Sequence, residues 1–247
     1  MKRIGTIFLA ILLMVIVVGM LTANGRQVDP EEYFADPQTI ALAEAMLSGD
    51  TSRMEELVGA GADPNARGTD GMSLAEWEIM REGRSALRTL LRLGADPAAP
   101  GWHGGTAMHL AAQYQNDSYL RLLVEVGGDV DAADGRMARS PIFNALMARR
   151  PDNVRFLLEH GATLDFADRN GVTPLQLAAR INDFDHVLQF LQFGADPLAS
   201  DRGGATFQSA IFSSDPDLLH PGALAARNGI IAFLEAEGIP LDPKARR

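Results

Sequence analysis

The sequence predicts an all-α repeat solenoid that follows one hydrophobic N-terminal helix. Two observations indicate this fold class: an uncharged apolar run near the N-terminus, and a glycine-led phrase that recurs every 33 or 34 residues. Runs of that length are typical of membrane segments, and a fixed period of this size is typical of stacked repeats. None of the 247 residues is cysteine. A disulfide scaffold, thiolate metal sites and a cysteine nucleophile are therefore excluded.

The N-terminal segment begins with Lys2 and Arg3 and then runs from Ile4 to Ala23 without a charged residue. As a helix it would span about 30 Å, the thickness of a bilayer core. Its basic start and its small residues at the end fit a signal peptide cleaved after Ala23 or Gly25, and they fit an uncleaved anchor equally well. We predict a signal peptide or transmembrane helix over residues 1–25, in preference to a core helix of a soluble domain.

The charge distribution predicts the compartment and excludes one class of partner. Basic residues flanking a membrane segment stay on the cytoplasmic side, so the remainder of the chain is expected in the bacterial cell envelope, free in the periplasm or anchored in the cytoplasmic membrane. Residues 27–247 hold 19 basic and 32 acidic residues, a formal charge of −13. A chain this acidic lacks the basic face that nucleic-acid binding requires.

The repeat is marked by glycines followed by Ala-Asp-Pro or a variant of it. These glycines are Gly61, Gly94, Gly127, Gly161 and Gly194. A serine or threonine stands 21 residues before each of the last four, at Ser73, Thr106, Ser140 and Thr173. Ser and Thr favour helix N-caps, Pro174 suits a first helical turn, and glycine suits the left-handed C-cap. The pattern predicts helix, tight turn, helix and an extended finger in each copy.

Residues 106–112 (TAMHLAA) and 173–179 (TPLQLAA) resemble the Thr-Pro-Leu-His-x-Ala phrase of the ankyrin repeat, which has a 33-residue period. The resemblance covers residues 40–242. It implies a helix-turn-helix plus β-turn finger in each copy, and it implies a protein-binding role. Structural roles are expected for Thr106, His109, Thr173 and Pro174, with His109 hydrogen-bonded to Thr106 and nearby backbone, and for the five repeat glycines.

The predicted organisation is a linker over residues 26–38 and an array of about six repeats over residues 39–247. Tyr33 and Phe34 are expected to cover the exposed flank of the first copy, because terminal repeats have only one neighbour. The last copy departs most from the period, with about eleven residues inserted near 213–224. This insert is either a cap or a binding element.

No motif predicts catalysis. The five histidines lack the spacing of a metal site, and no nucleophile elbow, phosphate-binding glycine loop or pair of catalytic carboxylates stands out. We therefore predict a chain that is not an enzyme, with no cofactor, no metal and no small-molecule substrate.

Candidate partner-binding residues lie where the copies differ. Those in the fingers are Arg67, Trp102, His103, Arg136, Met137, Arg139, Arg169 and Arg202. Those at the exposed ends of the first helices are Met80, Arg81, Tyr114, Met147, Arg180 and Ile181. Trp102 is the strongest candidate, because Trp, Tyr and Arg dominate binding hot spots, although it could instead fold over a neighbouring finger. Tyr114 and Met147 either continue an apolar stripe or pack between helices.

The predicted function is a protein-binding module on the periplasmic side of the membrane. The architecture resembles bacterial immunity proteins that neutralise toxins delivered by type VI secretion. It also resembles a periplasmic accessory protein that supports a catalase. The first reading is preferred, with an assembly scaffold for an envelope enzyme as the alternative and an enzyme as a distant third, because repeats indicate how a protein binds but not what it binds.

Overall fold

The computed structural model describes residues 29–213 and 215–246. The chain divides between His103 and Gly104 into two compact units, which we call unit 1 and unit 2. Within the described ranges the regular structure is helical, and strand pairing is limited to two isolated bridges, Arg67–Ser73 and Ser200–Thr206. The predicted all-α fold class is confirmed.

Unit 1 contains four helices after a short 3-10 turn at Pro30–Glu32. They are α1 (Pro37–Ser48), α2 (Thr51–Gly59), α3 (Leu74–Met80) and α4 (Arg84–Arg92). Helix α1 begins where the Asp36 carboxylate accepts a hydrogen bond from Thr39 N–H at 2.8 Å, and it ends at Gly49 with φ +68°. An acidic N-cap and a left-handed glycine satisfy the end groups that a helix leaves unpaired.

Unit 2 contains eight helices. They are α5 (Ala107–Ala111), α6 (Ser118–Glu125), α7 (Pro141–Met147), α8 (Pro151–Glu159), α9 (Pro174–Arg180), α10 (Phe184–Gln192), α11 (Phe207–Ile211) and α12 (Pro221–Ala236). The first helices of successive pairs pack side by side: α7 contacts both α5 and α9, and α9 contacts α11. Ala111, Ala145 and Ala178 are fully buried along these helices. Their small side chains let neighbouring helix backbones come close.

The repeat signals coincide with helix boundaries. Ser73, Thr106, Ser140, Thr173 and Thr206 are the N-caps of α3, α5, α7, α9 and α11. The glycines after the second helices adopt φ between +87° and +105°, a region that residues with a Cβ rarely enter.

The N-terminal predictions meet the structure only in part. The predicted signal peptide or transmembrane helix, residues 1–25, lies outside the described residues. Within 29–213 and 215–246 no helix is both long and apolar enough to cross a membrane. In the segment predicted as a linker, Phe34 is 1% exposed and its ring lies edge-on to Trp77 at 5.6 Å. Helix α1 starts at Pro37, slightly before the predicted first copy, because Asp36 and Pro37 form an N-cap and first-turn pair.

The insert in the last copy has structure of its own. A 3-10 turn occupies Pro216–Leu218, and α12, with 16 residues, begins at Pro221 after a cap in which His220 Nδ1 accepts from Gly222 N–H at 3.2 Å. The end of the insert therefore lengthens the second helix. The C-terminal segment packs back on this pair: the Gln208 side chain donates to Pro240 C=O at 3.0 Å and accepts from Asp242 N–H at 2.8 Å.

Candidate binding surface

Fingers project between consecutive helix pairs, and we define four of them by their hydrogen-bonded ends: residues 68–72, 134–139, 168–172 and 201–205. In each one, the N–H of the first residue donates to the carbonyl of the last at 2.8 to 3.0 Å. The fingers of unit 2 also bond to one another. Arg169 N–H donates to Met137 C=O at 2.8 Å, and Arg202 N–H donates to Asn170 C=O at 2.9 Å. Gly135 N–H donates to Gly104 C=O, which lies before α5, at 2.7 Å.

In α5 and α9 the third residue of the helix connects that helix to a finger. In unit 2, His109 Nδ1 accepts from Thr106 N–H at 3.1 Å, and His109 Nε2 faces Arg139 C=O at 2.8 Å. Burial lowers the pKa of His109, so the ring is held neutral with its proton on Nε2. Gln176 does the same work: it accepts from Thr173 N–H at 3.0 Å and donates to Ala199 and Ala205 carbonyls.

In unit 1 this position is Glu76, which sequence reasoning did not single out. Its carboxylate accepts from Ser73 N–H at 2.9 Å and from Trp102 N–H at 2.9 Å. The side chain is buried, and burial raises its pKa although these hydrogen bonds act in the opposite direction. The sequence signal was an acidic residue, Glu76, at the position that is His109 and Gln176 in two other copies.

Trp102 and His103 form an aromatic pair at the end of unit 1. Their ring centroids are 4.3 Å apart, Trp102 is half-buried and His103 is exposed. His103 has φ +54°, which is uncommon for a residue with a Cβ. The backbone here is thus held in a less favourable conformation while an aromatic surface faces solvent.

Four of the predicted binding arginines have partners within their own unit. Arg81 pairs with Glu78 at 2.8 Å and lies over the Trp77 ring at 4.5 Å. Arg139 pairs with the buried Asp168 at 3.1 Å. Arg169 donates to Gly135 C=O at 2.9 Å, and Arg180 pairs with Asp201. These guanidinium groups hold fingers and helix ends in place, so much of their hydrogen-bonding capacity is already used.

Three other predicted arginines differ from these. Arg136 and Arg202 are exposed within fingers and Arg67 is exposed at the base of one, and their side chains make no ion pair with any residue that the structure describes. Their guanidinium groups are available to a partner.

The predicted apolar residues at the first-helix ends and in the fingers are partly covered. Met80, Tyr114, Met137, Met147 and Ile181 are all half-buried. The Tyr114 ring packs edge-on against Tyr119 at 5.3 Å, and Met147 Sδ lies 3.8 Å from an Arg139 nitrogen. These contacts favour partial packing for Tyr114 and Met147, and the apolar stripe stays a prediction.

Glu78 is a second acidic residue that sequence reasoning missed. It is 1% exposed, and its position corresponds to Ala111, Ala145 and Ala178 in later copies. Burial raises its pKa to about 7, against the attraction of Arg81. The signal that could have identified Glu78 is a charged residue at a repeat position where later copies carry alanine. Acidic side chains such as these also raise the question of a metal site. In the part of the chain that is described, no cluster of three His, Asp or Glu side chains could hold a metal ion.

Comparisons with known proteins agree with this geometry. A family model described as "Ankyrin repeats (many copies)" matches residues 142–192, and one described as "Ankyrin repeat" matches residues 103–135. The chain contains ankyrin repeats. Ankyrin repeats are protein-binding modules, so the coarse function predicted from the sequence is supported.

A solved structure and a curated relative resemble this chain. The solved structure is the ankyrin repeat domain of Bcl-3, described as a unique member of the IkappaB protein family. It matches with a TM-score of 0.67 and 25% identity over 86% of this chain and 90% of that one. The relative is the Ankyrin repeat and LEM domain-containing protein 1 homolog of Caenorhabditis elegans, 41% identical over 58 residues. That match spans 24% of this chain and only 8% of the relative.

Proposed function

We propose that this protein is a non-enzymatic inhibitor on the periplasmic side of a bacterial cytoplasmic membrane. It binds a secreted toxin protein through its finger tips and neutralises it. The observation that carries the binding site is the contrast among the arginines. Those that hold the scaffold have partners, whereas Arg67, Arg136 and Arg202 are exposed and form no ion pair with the described residues.

The chemistry of the tips selects the kind of partner surface. Exposed guanidinium groups pair with carboxylates, and a half-exposed tryptophan fills an apolar pocket. The partner is therefore a folded protein with acidic side chains around an apolar depression. The acidic remainder of the chain favours contact at the arginines, because like charges elsewhere on the chain repel an acidic partner.

The periplasmic location rests on the sequence of residues 1–25. Its test is a fusion of this segment to alkaline phosphatase, which is active only after export. An active reporter supports the location, and an inactive one overturns it.

Site-specific photo-crosslinking tests the binding surface. A benzophenone amino acid replaces Arg67, Arg136 or Arg202, one at a time, in the full chain in its own cells. Matched controls carry it at Arg88 in α4 and Arg155 in α8, which are exposed on second helices. One adduct of common mass from the tips and none from the controls is expected. Equal yields from both sets contradict the site.

The identity of the adduct and a growth assay test the neutralising role. A toxin in the adduct, directed to the periplasm, is expected to kill cells that lack this protein and to spare cells that express it. Death in both strains overturns the inhibitor proposal. A catalase or another envelope enzyme in the adduct replaces it with the accessory role.

A further inference from the structure

The finger that carries Trp102 is built differently from the four closed fingers. We call residues 99–103 the Trp102 finger. The four closed fingers begin at Gly68, Asp134, Asp168 and Asp201, and the corresponding residue here is Gly101. Among the backbone hydrogen bonds of the described residues, none has the N–H of Gly101 as its donor. This finger also lacks a side-chain support that the fingers of later copies have. In unit 2, Asp134, Asp168 and Asp201 each accept N–H groups of their own finger, whereas the corresponding residues of unit 1 are Gly68 and Gly101.

A carboxylate from the neighbouring helix replaces the missing aspartate. Glu76 Oε2 and Oε1 lie 2.9 and 3.2 Å from Trp102 N. A Cβ at Gly101 would lie 1.8 to 2.2 Å from the carboxylate atoms of Glu76, closer than any real contact. Glu76 therefore requires glycine at position 101, and an aspartate there would displace it.

The hydrogen bond between Glu76 and the finger runs in the opposite direction to its counterparts in unit 2, because Glu76 accepts where His109 and Gln176 donate. His109 donates to the finger carbonyl of Arg139 at 2.8 Å, and Gln176 donates to that of Ala205 at 3.1 Å. An ionised carboxylate can only accept, so Glu76 holds an N–H group. The corresponding N–H groups of Arg169 and Arg202 bond instead to a preceding finger, and that of Gly135 bonds to Gly104 C=O. In unit 1, the N–H of Thr69 likewise bonds to Tyr33 C=O at 2.9 Å.

We propose that Glu76 is a positioning residue that holds the Trp102 finger in the form that presents Trp102 and His103 to the protein partner. Its acceptor-only side chain turns the Trp102 N–H inward, and the chain continues through His103 at φ +54°. The inference rests on the proposed function only in one respect, which is that Trp102 and His103 contact the protein partner. The positioning itself is a property of unit 1.

A cycle of substitutions tests the positioning without a partner. Glu76→His supplies the donor found at position 109, and Gly101→Asp supplies the aspartate found at position 134. Each single change is expected to destabilise unit 1, because one leaves the Trp102 N–H unpaired and the other collides with Glu76. The double variant restores the unit 2 combination, so it is expected to recover most of the lost stability. Strictly additive losses overturn the proposal.

Fluorine NMR of the full chain in detergent, labelled with 5-fluorotryptophan, reports the finger directly. The two tryptophans give two resonances, assigned by Trp102→Phe. In the double variant the Trp102 resonance and its solvent isotope shift are expected to move, while the Trp77 resonance stays. A merely structural role for Glu76 would leave Trp102 unchanged once stability is restored, and that result contradicts the proposal.

Crosslinking separates this inference from the proposed function. With the benzophenone at Arg67, the stable double variant is expected to lose about tenfold in adduct yield, the scale of one hot-spot residue. If the Trp102 resonance moves and the yield does not, the positioning stands and Trp102 is not a binding anchor. If the resonance stays in place, the positioning is wrong whatever the yield.

Discussion

Units 1 and 2 fill the same repeat positions with side chains of opposite character. Unit 1 buries the carboxyl groups of Glu76 and Glu78, whereas unit 2 has a neutral imidazole at His109, an amide at Gln176 and a methyl group at Ala111. Unit 2 does bury one carboxylate, Asp168, but Arg139 and two backbone N–H groups bond to it. The difference teaches that the two units should respond to pH in opposite directions.

The largest effect is expected from Glu78. Its pKa rises from 4.5 to about 7 on folding. A raised pKa means that this stabilising contribution is complete below pH 4.5 and is lost as the pH rises through 7. The loss amounts to about 3 kcal/mol, at 1.36 kcal/mol per unit. Glu76, whose pKa is also raised by burial, acts in the same direction.

Urea unfolding followed by tryptophan emission measures this effect in unit 1 alone, since Trp77 and Trp102 are the two tryptophans of the chain. Glu78→Gln should flatten the decline between pH 5 and pH 8.5. Glu44→Gln, at an exposed position on α1, should leave it intact. A wild-type unit 1 that is equally stable at both pH values would remove the contrast between the units.

Arg139→Ala is expected to have the next largest effect. It leaves the buried Asp168 without its guanidinium partner, at a cost of about 2 kcal/mol, within the range for hydrogen bonds to charged groups. Far-UV circular dichroism in urea measures the loss. A cost below about 0.5 kcal/mol, the usual size for a surface substitution, would mean that the two N–H groups alone suffice for Asp168.

His109→Gln has a smaller expected effect, about 1 kcal/mol near neutral pH, because Gln176 makes equivalent contacts in its own copy. Its main consequence is on the acid side. Burial lowers the pKa of His109, so its contribution is present above the ordinary histidine pKa and is lost as the pH falls. The variant should reduce the acid sensitivity of unit 2. Unchanged acid unfolding would assign that sensitivity to other groups.

Arg136→Ala is expected to change the free energy of unfolding least, by less than about 0.5 kcal/mol, because the side chain is exposed and has no ion pair within the described residues. Arg136→Ala serves as the control for Arg139→Ala, which removes an arginine only three residues away. A large loss of stability here would show that the tip arginines belong to the scaffold, and it would remove the main support for the proposed binding face.

The sequence was sufficient to predict features that depend on local spacing. Thr173 and Pro174 predict a helix start, and Gly161 predicts a helix end, because caps act within one turn. It was insufficient for contacts about 30 residues apart. Nothing in a one-dimensional pattern indicates that Arg139 reaches Asp168 or that Glu76 reaches Trp102, since both depend on how one copy lies on the next.

The start of α12 shows the same limit in another form. The insert in the last copy was visible as a break in the period, but the period alone did not show that its final residues would extend a helix from Pro221. The cap made by His220 decides this, and it became apparent only when the 3-10 turn before it was in place.

The close approach of Glu76 to position 101 also constrains the order in which substitutions could have been acquired. Starting from a histidine and aspartate pair like that at positions 109 and 134, a glutamate gained first would meet the aspartate with both a steric clash and a like charge. A glycine gained first loses only the support within the finger. From that starting pair, only the route that begins with glycine at position 101 avoids the clash, and Gly101 would be the permissive change for Glu76.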